Sequence, residues 1–258
     1  MLQSLTEKAI LGLRSALDST GKDRLVIVCD PALDDPLDEQ IAQLGLPKHP
    51  INMRSRAKAP EPYLTEAPYE LRFESFIHHS LRTAIQQAIE ACPWNQRSRA
   101  VCAWLITDRS LPALAMEMRE RARCRDEHGR ARVFRFWDPR TAQHIQALFP
   151  RQAPCSFLQD TLWTYIDSFG SWRLLPAPAT SAWTSPSMRT LREWSLINGA
   201  FQYWTRDGID PQTKSEPWPT IREALHIGRA AGLVHDEDLM RFAADRLQYQ
   251  RPSNNRLA

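Results

Sequence analysis

The chain has 258 residues, 43% of them hydrophobic and 24% charged, with a formal net charge of +3. This is the balance of a folded soluble protein, long enough for one large domain or two small ones with a substantial core. No stretch reaches the ~18 apolar residues of a membrane span. Glu7, Lys8, Arg14 and Asp18 interrupt the apolar residues of the N-terminal segment, unlike a secretory signal, so a cytoplasmic location is expected.

Residues 1–22 read as an amphipathic helix with Leu2, Leu5, Ile10, Leu13 and Leu17 on one stripe and Gly21 as its stop. Leu25 to Cys29 is a continuous apolar run, as in strands buried on both faces, and Asp30-Pro31 ends it. A short helix is predicted over 37–44. Residues 46–68 hold five prolines and read as a surface loop, followed by a short strand over 69–73. Phe73, Ile77, Leu81, Ala84, Ile85, Ala88 and Ile89 share one helical face. Ala100 to Thr107 is a second buried strand, and a helix over 110–123 follows, with Pro112 in its first turn.

His128-Gly129 reads as the turn of a hairpin between strands 122–126 and 131–137. In the second strand Val133, Arg135 and Trp137 alternate with Phe134 and Phe136. Asp138 then caps a helix, because its carboxylate accepts from unpaired first-turn amides, and Pro139 suits the first helical position. That helix runs through Ala142, Ile145, Leu148 and Phe149 to Pro150. Trp163 to Leu175 reads as a strand pair around Gly170.

Residues 176–187 form a Pro/Ser-rich linker. Beyond it the pattern is helical only, with stripes from Leu191 to Trp204, Ile221 to Gly228 and Leu239 to Leu247. Gly232 reads as a C-cap and Asp236 as an N-cap. The expectation is an α/β lobe over 1–175, with a largely parallel or mixed sheet flanked by helices, and an all-helical lobe over 188–258.

The search for chemistry finds little. The nine glycines never group as a phosphate loop, and neither GxSxG nor HExxH occurs. Five cysteines, widely spaced and without a CxxC pair, signal neither a disulfide framework nor a zinc site; Cys29 and Cys102 lie in apolar runs as buried thiols. His78-His79 point about 100° apart on a helix and do not chelate one metal easily. No metal or cofactor is expected.

Asp30 ends a buried strand, where open α/β sheets place their sites, and Asp34, Asp35, Asp38 and Glu39 follow. One alternative is therefore a Mg²⁺-dependent phosphoryl-transfer enzyme centred on Asp30. A second is a nucleic-acid binder. Arg119, Arg121, Arg123, Arg125, Arg130, Arg132, Arg135 and Arg140 face only Glu120, Asp126, Glu127 and Asp138; eight minus four leaves +4. A solvated helix face and hairpin is the simpler account of the same charges. Of the nine tryptophans, Trp94, Trp104, Trp137 and Trp163 read as core. Trp183 and Trp218 sit in Pro-rich connections and read either as packing between the lobes or as partner contacts.

The block Phe134-Arg135-Phe136-Trp137-Asp138-Pro139-Arg140, with its preceding Gly-containing turn, resembles the hallmark of the adaptor and chaperone family of bacterial type VI secretion. Weaker features agree in order: Val28-Cys29-Asp30-Pro31-Ala32, with Pro31 where that family has glycine; Ala67-Pro68-Tyr69-Glu70-Leu71; Ala103 to Thr107 with Ser110-Leu111; and Ala230-Ala231-Gly232-Leu233. The similarity runs from about residue 24 to 248. It implies a non-catalytic protein that binds a toxic effector and helps load it onto the spike-tip valine-glycine repeat protein (VgrG). The resemblance also leaves two roles open for Arg135, Trp137, Asp138 and Arg140: holding the strand-to-helix junction together, or touching a partner.

Overall fold

The computed structural model describes residues 1–22, 24–31, 35–53, 60–68, 71–90, 99–125, 129–142, 157–177, 188–206 and 218–249. The chain divides into two compact units, the first ending at Pro186 and the second built mainly from Ser187 onward.

In the first unit, α1 (Leu2–Thr20) buries Ala9, Leu13, Ala16 and Leu17. Gly21 ends it at φ 64°, with its N–H on the Leu17 carbonyl at 3.0 Å. The strands and helices that follow are β1 (Arg24–Cys29), α2 (Asp38–Gln43), β2 (Lys48–Pro50), β3 (Tyr63–Pro68), α3 (Leu71–Glu90), β4 (Val101–Ile106) and α4 (Leu111–Ala122). Next come β5 (Arg123–Arg125), β6 (Ala131–Val133), β7 (Leu162–Ile166) and β8 (Trp172–Leu175).

Six strands form one sheet in the order β2-β3-β1-β4-β7-β8, and β5-β6 form a separate ribbon. Every strand pairing among the described residues is antiparallel, not parallel or mixed as the alternation of strands and helices suggests. The reason is the place of β1. The strands β3 and β4, joined through α3, run the same way, but β1 lies between them and pairs with both in the opposite sense. The apolar runs of β1 and β4 are buried on both faces, as their composition predicts.

The predicted strand over 69–73 is displaced. The strand is Tyr63–Pro68, inside the presumed loop, and Leu71 already begins α3. Its prolines disguise the strand in the sequence: Pro62 stands just before it and Pro68 at its last position, where a missing N–H disturbs the ladder least.

One sheet face carries Leu25, Ile27, Cys29, Trp104, Ile106 and Ile166 against α1 and α3. The Trp104 indole N–H donates to Ser80 of α3 at 3.0 Å. The opposite face carries Val26, Val28, Leu105 and Trp163, and the chain after β6 packs there. Between Val28 and Cys29 the register with β4 slips, leaving Cys102 as an extra residue, and the Asp30 amide bonds Ala100 O at 2.8 Å.

The second unit contains α5 (Met188–Arg206), α6 (Trp218–Ala230) and α7 (Asp236–Tyr249). Ile197, Trp204, Ile221, Leu225, Leu239, Ala243 and Leu247 form its core, close to the expected stripes. Gly232 takes φ 88° after α6, as a C-cap does. Asp236 is the first helical residue of α7, and not its cap.

Candidate functional site

The segment from Phe134 to Arg140 is a folded junction. The predicted strand stops at Val133, because Phe136 and Trp137 are both fully buried and strict alternation would have sent one of them into solvent. The chain turns instead. The Phe136 amide bonds the Phe134 carbonyl at 2.9 Å, and the Asp138 amide bonds Arg135 O at 3.1 Å. Both rings thereby reach the same cluster: Phe136 lies 5.4 Å from Trp137, 5.4 Å from Phe157 and 5.8 Å from Trp163 of β7, in edge or tilted contacts.

The capping prediction for Asp138 holds. Its Oδ1 accepts the Arg140 amide at 2.9 Å, and Thr141 and Ala142 amides return to its carbonyl at 2.7 and 2.9 Å. The helical turn that starts at Pro139 is described only to Ala142, so the predicted course through Ile145, Leu148 and Phe149 to Pro150 lies outside the described residues.

The Arg140 guanidinium closes onto the same carboxylate, with Nε on Oδ1 at 2.9 Å and a terminal nitrogen on Oδ2 at 2.5 Å. Burial alone would raise the Asp138 carboxyl, but the hydrogen bonds and charge of Arg140 outweigh it and hold Asp138 below the usual aspartate range. Arg140 is held above its own ordinary value by the same pair, against burial.

Sequence reasoning did not foresee the partner of this junction. Asp30, 3% exposed at the end of β1, receives the Trp137 indole N–H on Oδ2 at 3.0 Å and the Arg135 guanidinium on the same oxygen at 3.1 Å. Its Oδ1 is buried without a hydrogen-bond partner. The carboxylate that suggested a metal site is thus a receptor for two hallmark side chains, 107 and 105 positions later in the chain. No local signal announces such a pairing. The only hint was that both motifs carry polar groups able to satisfy one another where burial makes that necessary.

Arg99 completes the arrangement. It is 4% exposed and donates to the carbonyls of Ile166 and Asp167 at 2.9 and 3.1 Å. Burial pushes its pKa down to about 10, opposed by the nearby charge of Asp138. Asp167 holds the β7–β8 turn through bonds to the Phe169 and Ser171 amides and to Arg173. Cys102, at the bulge, is fully buried, and burial raises its thiol pKa well above the usual value.

The other acidic residues belong elsewhere. Asp35 accepts from the Tyr63 hydroxyl at 2.9 Å and from Lys48 at 2.8 Å, and Lys48 also pairs with Asp38. Asp34 lies outside the described residues. Among the described residues no group of three His, Cys, Asp or Glu side chains is arranged to hold a metal. Of the arginine series, Arg121 is paired with Glu117 and Arg125 donates to the Gly129 carbonyl at 2.8 Å; Arg123, Arg125, Arg130 and Arg132 are exposed on or beside the β5–β6 ribbon. Trp218 is not in an exposed connection. It is the first residue of α6, 6% exposed, with its ring 4.6 Å from Phe201 of α5. Trp183 lies outside the described residues.

The junction and the β1 strand it grips fall within one stretch of similarity, since residues 27–154 match the family described as a domain of unknown function (DUF4123). The chain carries a DUF4123 domain. The domain opens inside β1, includes α3, β4, α4 and the ribbon, and contains both Asp30 and the Phe134–Arg140 block. No curated protein and no solved structure matches the chain. Among the described residues no helix of the chain is long and apolar enough to cross a membrane.

Proposed function

We propose that this DUF4123 protein is a non-catalytic adaptor and chaperone of type VI secretion, which binds a toxic effector in the cytoplasm and helps load it onto the VgrG spike. The observation that carries the proposal is that the DUF4123 match spans the Phe134–Arg140 block, of which Arg135 and Trp137 are turned onto Asp30 while Asp138 and Arg140 pair with each other. In this reading Arg135, Trp137, Asp138 and Arg140 keep the domain in shape, and recognition lies on other surfaces. Asp30 speaks against the phosphoryl-transfer alternative, because it is buried and one of its oxygens is already bonded to a cation and an indole N–H. Adaptor function needs no cofactor.

The test is genetic and biochemical together. Deleting the gene should abolish secretion of one effector encoded nearby, and that effector should co-purify with the full chain. Unchanged secretion and stability of every effector in the deletion strain would refute the proposal. Calorimetry with Mg²⁺ on the wild type and on Asp30→Asn checks the enzyme alternative, for which binding must be present in the first and lost in the second.

A further inference from the structure

We infer that the β5–β6 ribbon is the docking edge for an acidic, extended segment of a partner protein, which adds alongside β6 as a third strand. This rests on the adaptor reading, since it takes the occupant to be the effector.

Among the described residues the ribbon joins no larger sheet. Its hydrogen-bonding phase can be read from its base, where the Phe134 amide donates to the Ala122 carbonyl at 2.7 Å. In an antiparallel ladder bonded and non-bonded pairs alternate. With Arg123 opposite Val133, Cys124 opposite Arg132 and Arg125 opposite Ala131, the bonded pair is Cys124 with Arg132. The N–H and C=O groups of Ala131 and Val133 therefore point away from β5, along the outer edge of β6. All three β6 residues are exposed, and Val133 is 45% exposed. This is the geometry that strand addition uses.

Charge selects the occupant. Arg123, Arg125, Arg130 and Arg132 are all exposed, and the intervening sequence supplies only Asp126 and Glu127. Arg123 and Arg125 share one face with Ala131 and Val133, and Arg132 lies on the other. A strand laid beside β6 would have Arg132 as its neighbour on one face and, about 10 Å away across β6, the long side chains of Arg123 and Arg125 on the other. A second copy of this chain would bring like charge to like charge, which excludes a symmetric pairing through this edge. Nucleic acid fits less well. A three-residue ribbon offers a short phosphate track, and among the described residues the exposed large hydrophobics include no aromatic ring on which a base could stack.

The experiment uses the full chain co-expressed with the effector encoded beside it. Amide hydrogen exchange is compared between the free chain and the complex, and affinity is measured from ~50 to ~200 mM salt. Three variants are compared: Arg123→Glu with Arg125→Glu, Val133→Pro, and Arg189→Glu as an exposed control in the second unit. Proline at 133 removes an outward N–H and no ribbon bond, so near-UV circular dichroism should match the wild type. Expected are protection at Ala131–Val133 in the complex and a ~tenfold or greater affinity loss in the first two variants only, with a flatter salt response in the charge-reversed one. Co-purification with the ribbon unprotected, or affinity unchanged in the first two variants, overturns the docking edge and leaves the adaptor reading standing. Failure of the wild type to bind any effector overturns the adaptor reading and this inference with it. Ribbon-dependent binding of a ~20-base-pair DNA duplex without effector binding shows the partner class to be wrong.

Discussion

Replacing Arg135 by Gln tests the Asp30 clasp most directly. The guanidinium sits 3.1 Å from Asp30 Oδ2, so at an effective dielectric of about 20 the gross attraction is about 5 kcal/mol. The Arg135 side chain is 31% exposed, and solvent screening with side-chain ordering removes a good part of that. The carboxylate, 4% exposed, keeps the Trp137 bond but loses its counter-charge. The expected destabilisation is ~2–4 kcal/mol, somewhat below the ~3–5 kcal/mol of a fully buried pair because Arg135 is partly exposed.

The sharper readout is the cycle with Asp30→Asn. In the wild type Asp30→Asn destabilises, because it removes one partner of the pair. In the Arg135→Gln background it should cost little or stabilise, because it removes the unpaired charge itself. A coupling of ~1–3 kcal/mol is expected. Urea unfolding followed by tryptophan fluorescence reports it, since Trp137 and Trp163 lie in the same cluster as Phe136. Equal costs of Asp30→Asn in both backgrounds, within ~0.5 kcal/mol, would refute the reasoning that these groups hold each other.

Three further predictions concern different parts of the fold. Asp138 is depressed in the folded state, so its pairing with Arg140 stabilises fully above the ordinary aspartate value and is lost as pH falls through the lower folded value. Asp138→Asn should therefore flatten the loss of stability below ~pH 4 while lowering stability at neutral pH by ~1–3 kcal/mol, measured by unfolding curves from pH 3 to 7. Gly12→Ala should destabilise by ~1–3 kcal/mol, because its new Cβ would lie 2.6 Å from the rigid Trp172 indole. Gly199→Ala meets the flexible Met240 thioether instead and should cost less; thermal melts of the two variants would show the order. Finally, Cys29 and Cys102 should resist iodoacetamide in the folded protein and react on unfolding, since burial pushes Cys29 up to about 12 and raises Cys102 as well. Peptide mass mapping with and without denaturant checks this, with the partly exposed Cys124 as the internal comparison.

Much was legible in the sequence where the signal is local. The stripe of α1 and its Gly21 stop, the apolar runs of β1 and β4, the Asp138-Pro139 helix start and the three helical stripes after Ser187 each follow from the spacing of neighbouring residues. Sheet order did not. That β1 lies between β3 and β4, and so makes the whole sheet antiparallel, depends on which strands meet, and periodicity carries no record of it.

The Phe134–Arg140 block shows the division most clearly. Its composition determined that a basic, aromatic segment would run into a capped helix, because capping is a matter of residues two and three positions apart. Only the tertiary structure decided that Phe136 and Trp137 would both turn inward, and that Arg135 and Trp137 would close on a carboxylate more than a hundred residues earlier. Burial of Asp30 at the end of β1 required a partner of opposite charge, and folding alone determined which of the chain's arginines came within reach.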